Sequence, residues 1–86
     1  FNVTTPTPLY TLLTIHPPDE NGAQEVWAEN ESTDGIIAWL YHLDAGTWVW
    51  LNEAGHPTYV FTSMKDIAWW AARLASEVKW DDNPRV

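Results

Sequence analysis

The chain contains no cysteine, and its first 64 residues contain neither lysine nor arginine. Without cysteine there is no disulfide framework and no thiolate metal site, so an apolar core has to hold the fold. No apolar run approaches the ~20 residues that a membrane-spanning helix needs, and no signal-peptide pattern is visible. The scarcity of basic residues argues against a surface that neutralises nucleic-acid phosphates. We therefore expect a cytoplasmic protein that binds neither membranes nor nucleic acids directly.

Length and composition predict a single domain over residues 1–86. A chain of 86 residues falls within the range of one domain with one core. Its hydrophobic content is 45%, with seven tryptophans among these residues. That content is too high for a disordered acidic tail, and it predicts a small globular domain.

Negative charge is concentrated in the first part of the chain. Twelve acidic and four basic residues give a formal net charge of −8. Residues 1–64 hold eight of the acids and no base, whereas residues 65–86 hold four of each. Acid keeps a tryptophan-rich domain soluble, but solubility does not require every cation to be absent from 64 residues. Such asymmetry affects how the protein attracts and associates with charged partners, and it does not determine the fold.

Sequence patterns predict four or five short strands. Stretches rich in β-branched and aromatic residues, and period-two alternation, mark the strands. Clusters of glycine, proline, asparagine and aspartate mark the turns between them, beginning with a loop over residues 16–22. The two prolines of residues 1–8 favour an extended opening segment. The predicted strands are residues 9–15, 24–31, 36–43, 47–51 and 58–61.

Residues 36–43 admit two interpretations. A helix capped by Thr33 or Asp34 and closed by Gly46 would place three apolar residues on one stripe. Gly35 would then lie in the first helical turn, and the β-branched and aromatic content of the segment favours a strand. We prefer the strand. Glycines then predict two turns. Residues 44–46 form a hairpin loop with Gly46 in the left-handed conformation. Residues 32–35 form a turn in which the Asp-Gly pair favours positive φ angles.

A helix is predicted from Ser63 to about Lys79. The Ser63 hydroxyl is placed to accept a hydrogen bond from the backbone amide of Asp66, and Asp81 to Pro84 prevent continuation. At ~100° per residue one apolar stripe faces the sheet. Its members are Ile67, Trp70, Ala71, Leu74, Ala75 and Val78. The predicted fold class is α+β, an antiparallel β-meander of four to five short strands covered by one C-terminal α-helix.

Two tryptophans fall on the opposite side of this predicted helix. Trp69 lies roughly 200° from Ile67, and Trp80 lies ~20° from Trp69 if the last turn is helical. An exposed apolar patch of this kind marks a contact surface for a foreign partner or a homodimer. The alternative is structural: Trp69 wraps around the sheet edge, and Trp80 folds back onto the N-terminal segment.

The strand over residues 24–31 has one acidic side. Period-two alternation puts Glu25, Trp27, Glu29 and Glu31 on the side opposite the apolar residues, and Asp34 follows in the next turn. The simplest interpretation is a solvated strand face. The functional interpretation is a binding surface in which carboxylates attract a basic partner and the indole supplies contact area.

Residues suited to catalysis do not form a recognisable pattern. The three serines occupy turn, cap or helix positions without a glycine-framed elbow. The histidines, His16, His42 and His56, show no metal-ligand spacing, and no glycine-rich phosphate loop is present. A chain this short is poorly suited to enclosing a cleft that shifts a carboxyl pKa. We therefore expect no enzymatic activity, no cofactor and no metal.

The leading functional hypothesis is a protein-binding module, an inhibitor or adaptor, that docks a basic partner protein. Its predicted contact residues are Glu25, Trp27, Glu29, Glu31, Asp34, Trp69 and Trp80. A sharper form is nucleic-acid mimicry, as in small phage-type inhibitors of DNA-binding enzymes. Mimicry would require the acids of the turns (Asp19, Glu20, Asp34, Asp44 and Glu53) to join the same surface, because duplex DNA carries one charge per ~1.7 Å.

Two other classes of function remain open from the sequence. A carbohydrate-binding module would stack sugars on Trp48, Trp50, Tyr41 and Tyr59. In this class Trp48 and Trp50 share one side of their strand. The alternative is that both form the core, with Val49 and Leu51 packed under the loop. A structural subunit of a homo-oligomer would instead use Trp69 and Trp80 as a packing surface. Binding to a neutral sugar responds little to salt, whereas acidic steering weakens with ionic strength.

Overall fold

The computed structural model describes residues 8–44 and 46–81 of the chain. The predicted extended opening segment therefore lies outside the described residues, except for Pro8. The described elements are, in chain order, β1 (Tyr10–Pro18), β2 (Ala23–Glu29), β3 (Asp34–Asp44), β4 (Thr47–Leu51), β5 (Pro57–Phe61), α1 (Met64–Leu74) and β6 (Ala75–Trp80).

The six strands form one mixed sheet in the order β5-β4-β3-β2-β1-β6. Antiparallel hairpins join β1 to β5 in sequence, as predicted, whereas β6 pairs in parallel with β1. The α+β class is confirmed. The predicted meander of four to five strands ending in a helix is incomplete, because a sixth strand follows the helix and closes the other edge of the sheet.

The helix covers one face of the sheet. Since β5 and β6 are the two edge strands, α1 has to cross from one edge to the other. Its Ser63 cap is confirmed, with Oγ accepting a hydrogen bond from the Asp66 amide at 3.2 Å. The predicted helical stripe packs against the strands, with Ile67, Ala71 and Ala75 buried. The buried cluster is Leu13, Ile15, Val26, Ala28, Ala38, Leu40, Trp50, Phe61, Ile67, Ala71 and Ala75.

The helix ends earlier than predicted. It stops at Leu74, and Ala75 has extended dihedrals of φ −140° and ψ 150°. Residues 75–80 then pair with β1. The edge of β1 supplies hydrogen-bond partners for the backbone N–H and C=O groups of these residues. Val78 packs against the core from the strand β6, and the predicted helical stripe also placed it on the core side. The apolar pattern therefore did not distinguish a helix from a strand. The predicted helix stop at residues 81–84 lies largely outside the described residues.

The β3 strand resolves the ambiguous segment. Residues 36–43 belong to the strand Asp34–Asp44, which confirms the preferred interpretation. Gly46 has φ +97°, as the predicted hairpin loop requires, although Ala45 lies outside the described residues.

The predicted turn over residues 32–35 is wrong. Asp34 and Gly35 are already in β3, and Gly35 does not have a positive φ. The turn is built on Asn30, whose Oδ1 accepts hydrogen bonds from the amides of Ser32 and Thr33 at 2.8 and 2.7 Å. An Asx turn of this kind gives the chain reversal without a glycine.

The first strand extends into the predicted loop of residues 16–22. It reaches Pro18, where the register with β2 shifts. Because proline has no N–H to donate, it is tolerated at such a strand end. The reversal follows at Asp19, whose Oδ1 accepts hydrogen bonds from the amides of Asn21 and Ala23.

Candidate protein-interaction surface

Among the residues that the structure describes, no helix lies on the sheet face opposite α1. Side chains alternate between the two faces of a strand, so the residues that alternate with the helix-side core cluster point to this second face. Cross-strand register joins them: Thr14 lies opposite Trp27, Glu25 opposite Trp39, and Tyr41 opposite Val49. We call this surface the open face. Its members in the four central strands are Leu12, Thr14, Glu25, Trp27, Glu29, Trp39, Tyr41, Val49 and Leu51.

On the open face, Glu25 is bonded to one tryptophan and paired across strands with another. Trp27 Nε1 donates a hydrogen bond to Glu25 Oε1 at 2.9 Å, which fixes the orientation of both side chains. Directly opposed residues on antiparallel strands have Cβ atoms ~4.5–5.5 Å apart, so the side chains of Glu25 and Trp39 leave the sheet next to each other. All three side chains are half-buried and reach solvent.

Further contacts hold Trp27 from the β1 side. The His16 ring meets Trp27 edge-on, with ring centroids 5.9 Å apart and planes at 80°. His16 Nδ1 lies 3.0 Å from Asp81 Oδ2, just beyond the end of β6. These contacts tie β6, β1 and β2 together on the open face. Because these contacts already restrict the Trp27 side chain, less conformational entropy is lost when a ligand binds to it.

An apolar depression of about 390 Å³ lies on the β3–β4 side of the open face, where Leu51 is paired with Trp39. It is lined by Tyr41, Leu43, Val49, Leu51 and Pro57. Val49 is buried yet lies outside the helix-side core cluster. The open face therefore combines apolar area on β3 and β4 with carboxylates on β2.

The predicted acidic residues stay near the open face. Glu25 and Glu29 lie on it, and Asp34 is paired directly with Glu29 at the start of β3. Glu31 is exposed in the following turn, and it lines a shallow depression of about 450 Å³ together with Glu29 and Glu77.

The turn acids are divided between the two ends of the strands. Asp19 and Glu20 follow β1, and Asp44 ends β3, so these three lie at one end of the sheet. Glu53 follows β4 and lies at the other end, with Glu31. The acids therefore frame the open face at both ends, and they do not gather on a single flank.

The two tryptophans predicted to share the solvent side of the helix are separated. Trp69 is on α1 and 62% exposed, with the Arg73 guanidinium carbon 4.8 Å from its ring centroid. The prediction that Trp80 continues the helical surface is wrong, because Trp80 belongs to β6 and packs half-buried against the core. Both lie on the helix side, away from Glu25 and Trp27.

The sugar-stacking residues likewise do not share one surface. Trp50 is buried in the core and Trp48 packs against it, which confirms the part of the alternative that places these two tryptophans in the core. Tyr59 is in contact with Trp70, with ring centroids 4.2 Å apart, on the helix side. Tyr41 is on the open face. The four rings thus belong to two faces of the sheet.

The histidines are spread over the molecule. His42 stacks on Trp48 with centroids 4.8 Å apart, His56 is exposed in the turn before β5, and His16 is engaged as described above. Among residues 8–44 and 46–81, no three histidine or acidic side chains are grouped so as to hold a metal ion. Within the same residues, no helix has the length and apolar character that crossing a bilayer requires.

Sequence reasoning missed part of the open face. Trp39, Val49 and Leu51 were not predicted as contact residues, because their face depends on the register between β2, β3 and β4. The alternation of Trp48 and Trp50 with Val49 and Leu51 was the available signal. With Trp48 and Trp50 on the core side, the intervening residues have to point to the open face.

Comparisons with known proteins add no family or relative to the geometry described above. No protein-family model matches the chain, and neither a curated protein nor a solved structure matches it.

Proposed function

We propose that this chain is a protein-binding module, an inhibitor or adaptor without enzymatic activity, that docks a basic partner protein on the open face. The observation that carries the proposal is Glu25, hydrogen-bonded to Trp27 and paired in register with Trp39, on a sheet face that no described helix covers. Interfaces are enriched in tryptophan, tyrosine and arginine at their centres, and this face supplies the aromatic half of such a contact.

An arginine of the partner fits this arrangement. A guanidinium donates to carboxylate oxygens and stacks on aromatic faces, and the open face presents both kinds of group in Glu25 and Trp27. A cation over an indole contributes ~0.5–2 kcal/mol, more when the site is desolvated. The apolar depression lined by Tyr41 and Leu51 would receive neighbouring apolar side chains.

The surrounding charge would speed the encounter. The eight acids of residues 1–64 have no lysine or arginine within that segment, and they lie on the open face or at the two ends of its strands. Complementary fields of this kind raise association rates and make them salt-dependent.

Nucleic-acid mimicry, of the phage-inhibitor type, is the finer form of this proposal. Glu25 and Glu29 are four residues apart on β2, or ~13 Å. Duplex DNA has several charges over that distance. A mimic would therefore have to use the framing acids of both sheet ends as well. Competition by duplex DNA for the bound partner distinguishes this form, since a simple acidic docking face need not overlap the partner's DNA site.

The test compares two variants with the same net charge. Glu25→Lys/Glu29→Lys reverses two carboxylates on the open face, and Glu20→Lys/Glu53→Lys reverses two exposed turn carboxylates outside it. Each double variant changes the net charge from −8 to −4. Proteins captured from a lysate of the source cells are quantified for the wild type and both variants at low and high salt.

We expect the open-face variant to lose captured basic proteins at low salt and the turn variant to keep most of them. Equal loss with both variants would mean that total charge, and not this face, drives capture. Undiminished capture by the open-face variant would contradict the proposal outright.

A further inference from the structure

The outer edge of β6 carries one charge of each sign. Glu77 and Lys79 are exposed and two residues apart, so they project to the same side of the strand. Their partners on β1 are Leu12 and Thr14, which places them on the open face. Within the described part of the chain, neither side chain is paired in a salt bridge.

The backbone of β6 shows which residues point away from the sheet. The Asp81 N–H donates to the Ile15 carbonyl at 2.9 Å, so residue 81 is directed toward β1. In a strand, the N–H and C=O groups of alternate residues point to opposite neighbours. Lys79 and Glu77 are therefore directed toward β1 as well. The N–H and C=O groups of Ser76, Val78 and Trp80 are directed outward from the edge.

We propose that this edge pairs with the same edge of a second copy of the chain, antiparallel, about a two-fold axis at Val78. Val78 then lies opposite Val78 of the second copy, and Ser76 opposite Trp80. These pairs exchange main-chain hydrogen bonds, because their groups point outward. Glu77 lies opposite Lys79 of the second copy in the close, non-hydrogen-bonded pair, where cross-strand side chains interact most strongly.

Charge complementarity selects a second copy as the occupant. Two molecules of net charge −8 repel each other, and residues 65–86 are the balanced part of the chain, with four acids and four bases. The two-fold axis repeats the attractive Glu77–Lys79 contact, so the dimer contains two such contacts. The opposite edge strand, β5, has no charged residue and offers no such complementarity.

The dimer would extend the surface described above. A two-fold axis perpendicular to the sheet keeps both open faces on the same side, so the two six-stranded sheets become continuous. The self-association itself does not depend on the proposed partner, and it is measured on the isolated protein.

Charge exchange at the edge tests the proposal. The mass of the full chain is followed by sedimentation equilibrium over a range of concentrations for the wild type, Glu77→Lys, Lys79→Glu and the double variant. Either single change turns both attractive pairs into repulsive ones and is expected to weaken dimerisation at least about tenfold. The double variant restores opposite charges and is expected to regain the wild-type constant.

Glu77→Lys is the most informative single variant. It reduces the net negative charge from −8 to −6, so it would strengthen association if only the repulsion between whole molecules mattered. The control is Val60→Lys on β5, where the side chain is 65% exposed, and it should leave the dimer intact. Circular dichroism checks that each variant is folded.

A second variant addresses the main chain. Ser76→Pro removes one outward N–H without removing a bond to β1, and Ala75 already has the extended dihedrals that a residue before proline needs. It should weaken the dimer. A wild type that stays monomeric, single variants without effect, a double variant that is not restored, or loss of the dimer with Val60→Lys would each overturn the proposal.

Discussion

At the scale of single residues, exposure separates the tryptophans of the core from those of the surface. Trp50 is 5% exposed and Trp69 is 62% exposed. We expect Trp50→Ala to lower the free energy of unfolding by ~3–5 kcal/mol, because it leaves a cavity in the cluster. Trp69→Ala should cost less than about 1 kcal/mol, since it removes little more than the contact with Arg73. Urea denaturation of both variants measures the difference. A loss of several kcal/mol at Trp69 would place that indole in the core.

Residue-scale features with a local cause were predictable from the sequence. The Ser63 cap depends on a residue three positions away, and it was predicted correctly. The hydrogen bond between Trp27 and Glu25 is also local, but it is one of many side-chain conformations that the same alternation allows. His16 on the neighbouring strand contacts the same indole, and a strand pattern contains no information on such a contact.

At the scale of elements, one glycine within β3 and one just beyond its end should respond differently to substitution. Gly46 has φ +97°, a region that costs an L-residue roughly 1–2 kcal/mol. Gly46→Ala should therefore lower the free energy of unfolding by about that amount. Gly35 lies in β3 without a positive φ, and a Cβ there would meet no atom within 4 Å. Gly35→Ala should be neutral or slightly stabilising. Thermal unfolding of both variants checks this, and equal destabilisation would restore the Asp-Gly turn that the sequence suggested.

The strand after the helix shows why an element can be missed. Ala75 and Val78 satisfy a helical stripe and also pack against the core from β6, so periodicity alone supports both. The parallel partner of β6 is β1, about 65 residues earlier in the chain, and no local signal announces a pairing of such long range. Hairpins between neighbouring strands were predictable because turn residues and alternation are local.

At the scale of the whole molecule, the sheet has one covered and one open face, and negative charge frames the open one. The sequence predicted the charge asymmetry, which needs only residue positions. It did not predict which aromatic residues accompany the acids: Trp39 joins Glu25 only through the register of β2 with β3, whereas Trp69 and Trp80 lie on the helix side. Assembling the face therefore required the tertiary structure.

The most direct test of the open face follows the seven tryptophan indole N–H signals by nuclear magnetic resonance while a basic probe, nona-arginine, is added at low and high salt. The probe should shift Trp27, whose N–H contacts Glu25, and Trp39 beside it, and the shifts should diminish as salt screens the acids. The Trp50 and Trp69 signals should stay in place. If the largest shifts fall instead on Trp69, or if all seven signals move equally, the open face is not the binding surface.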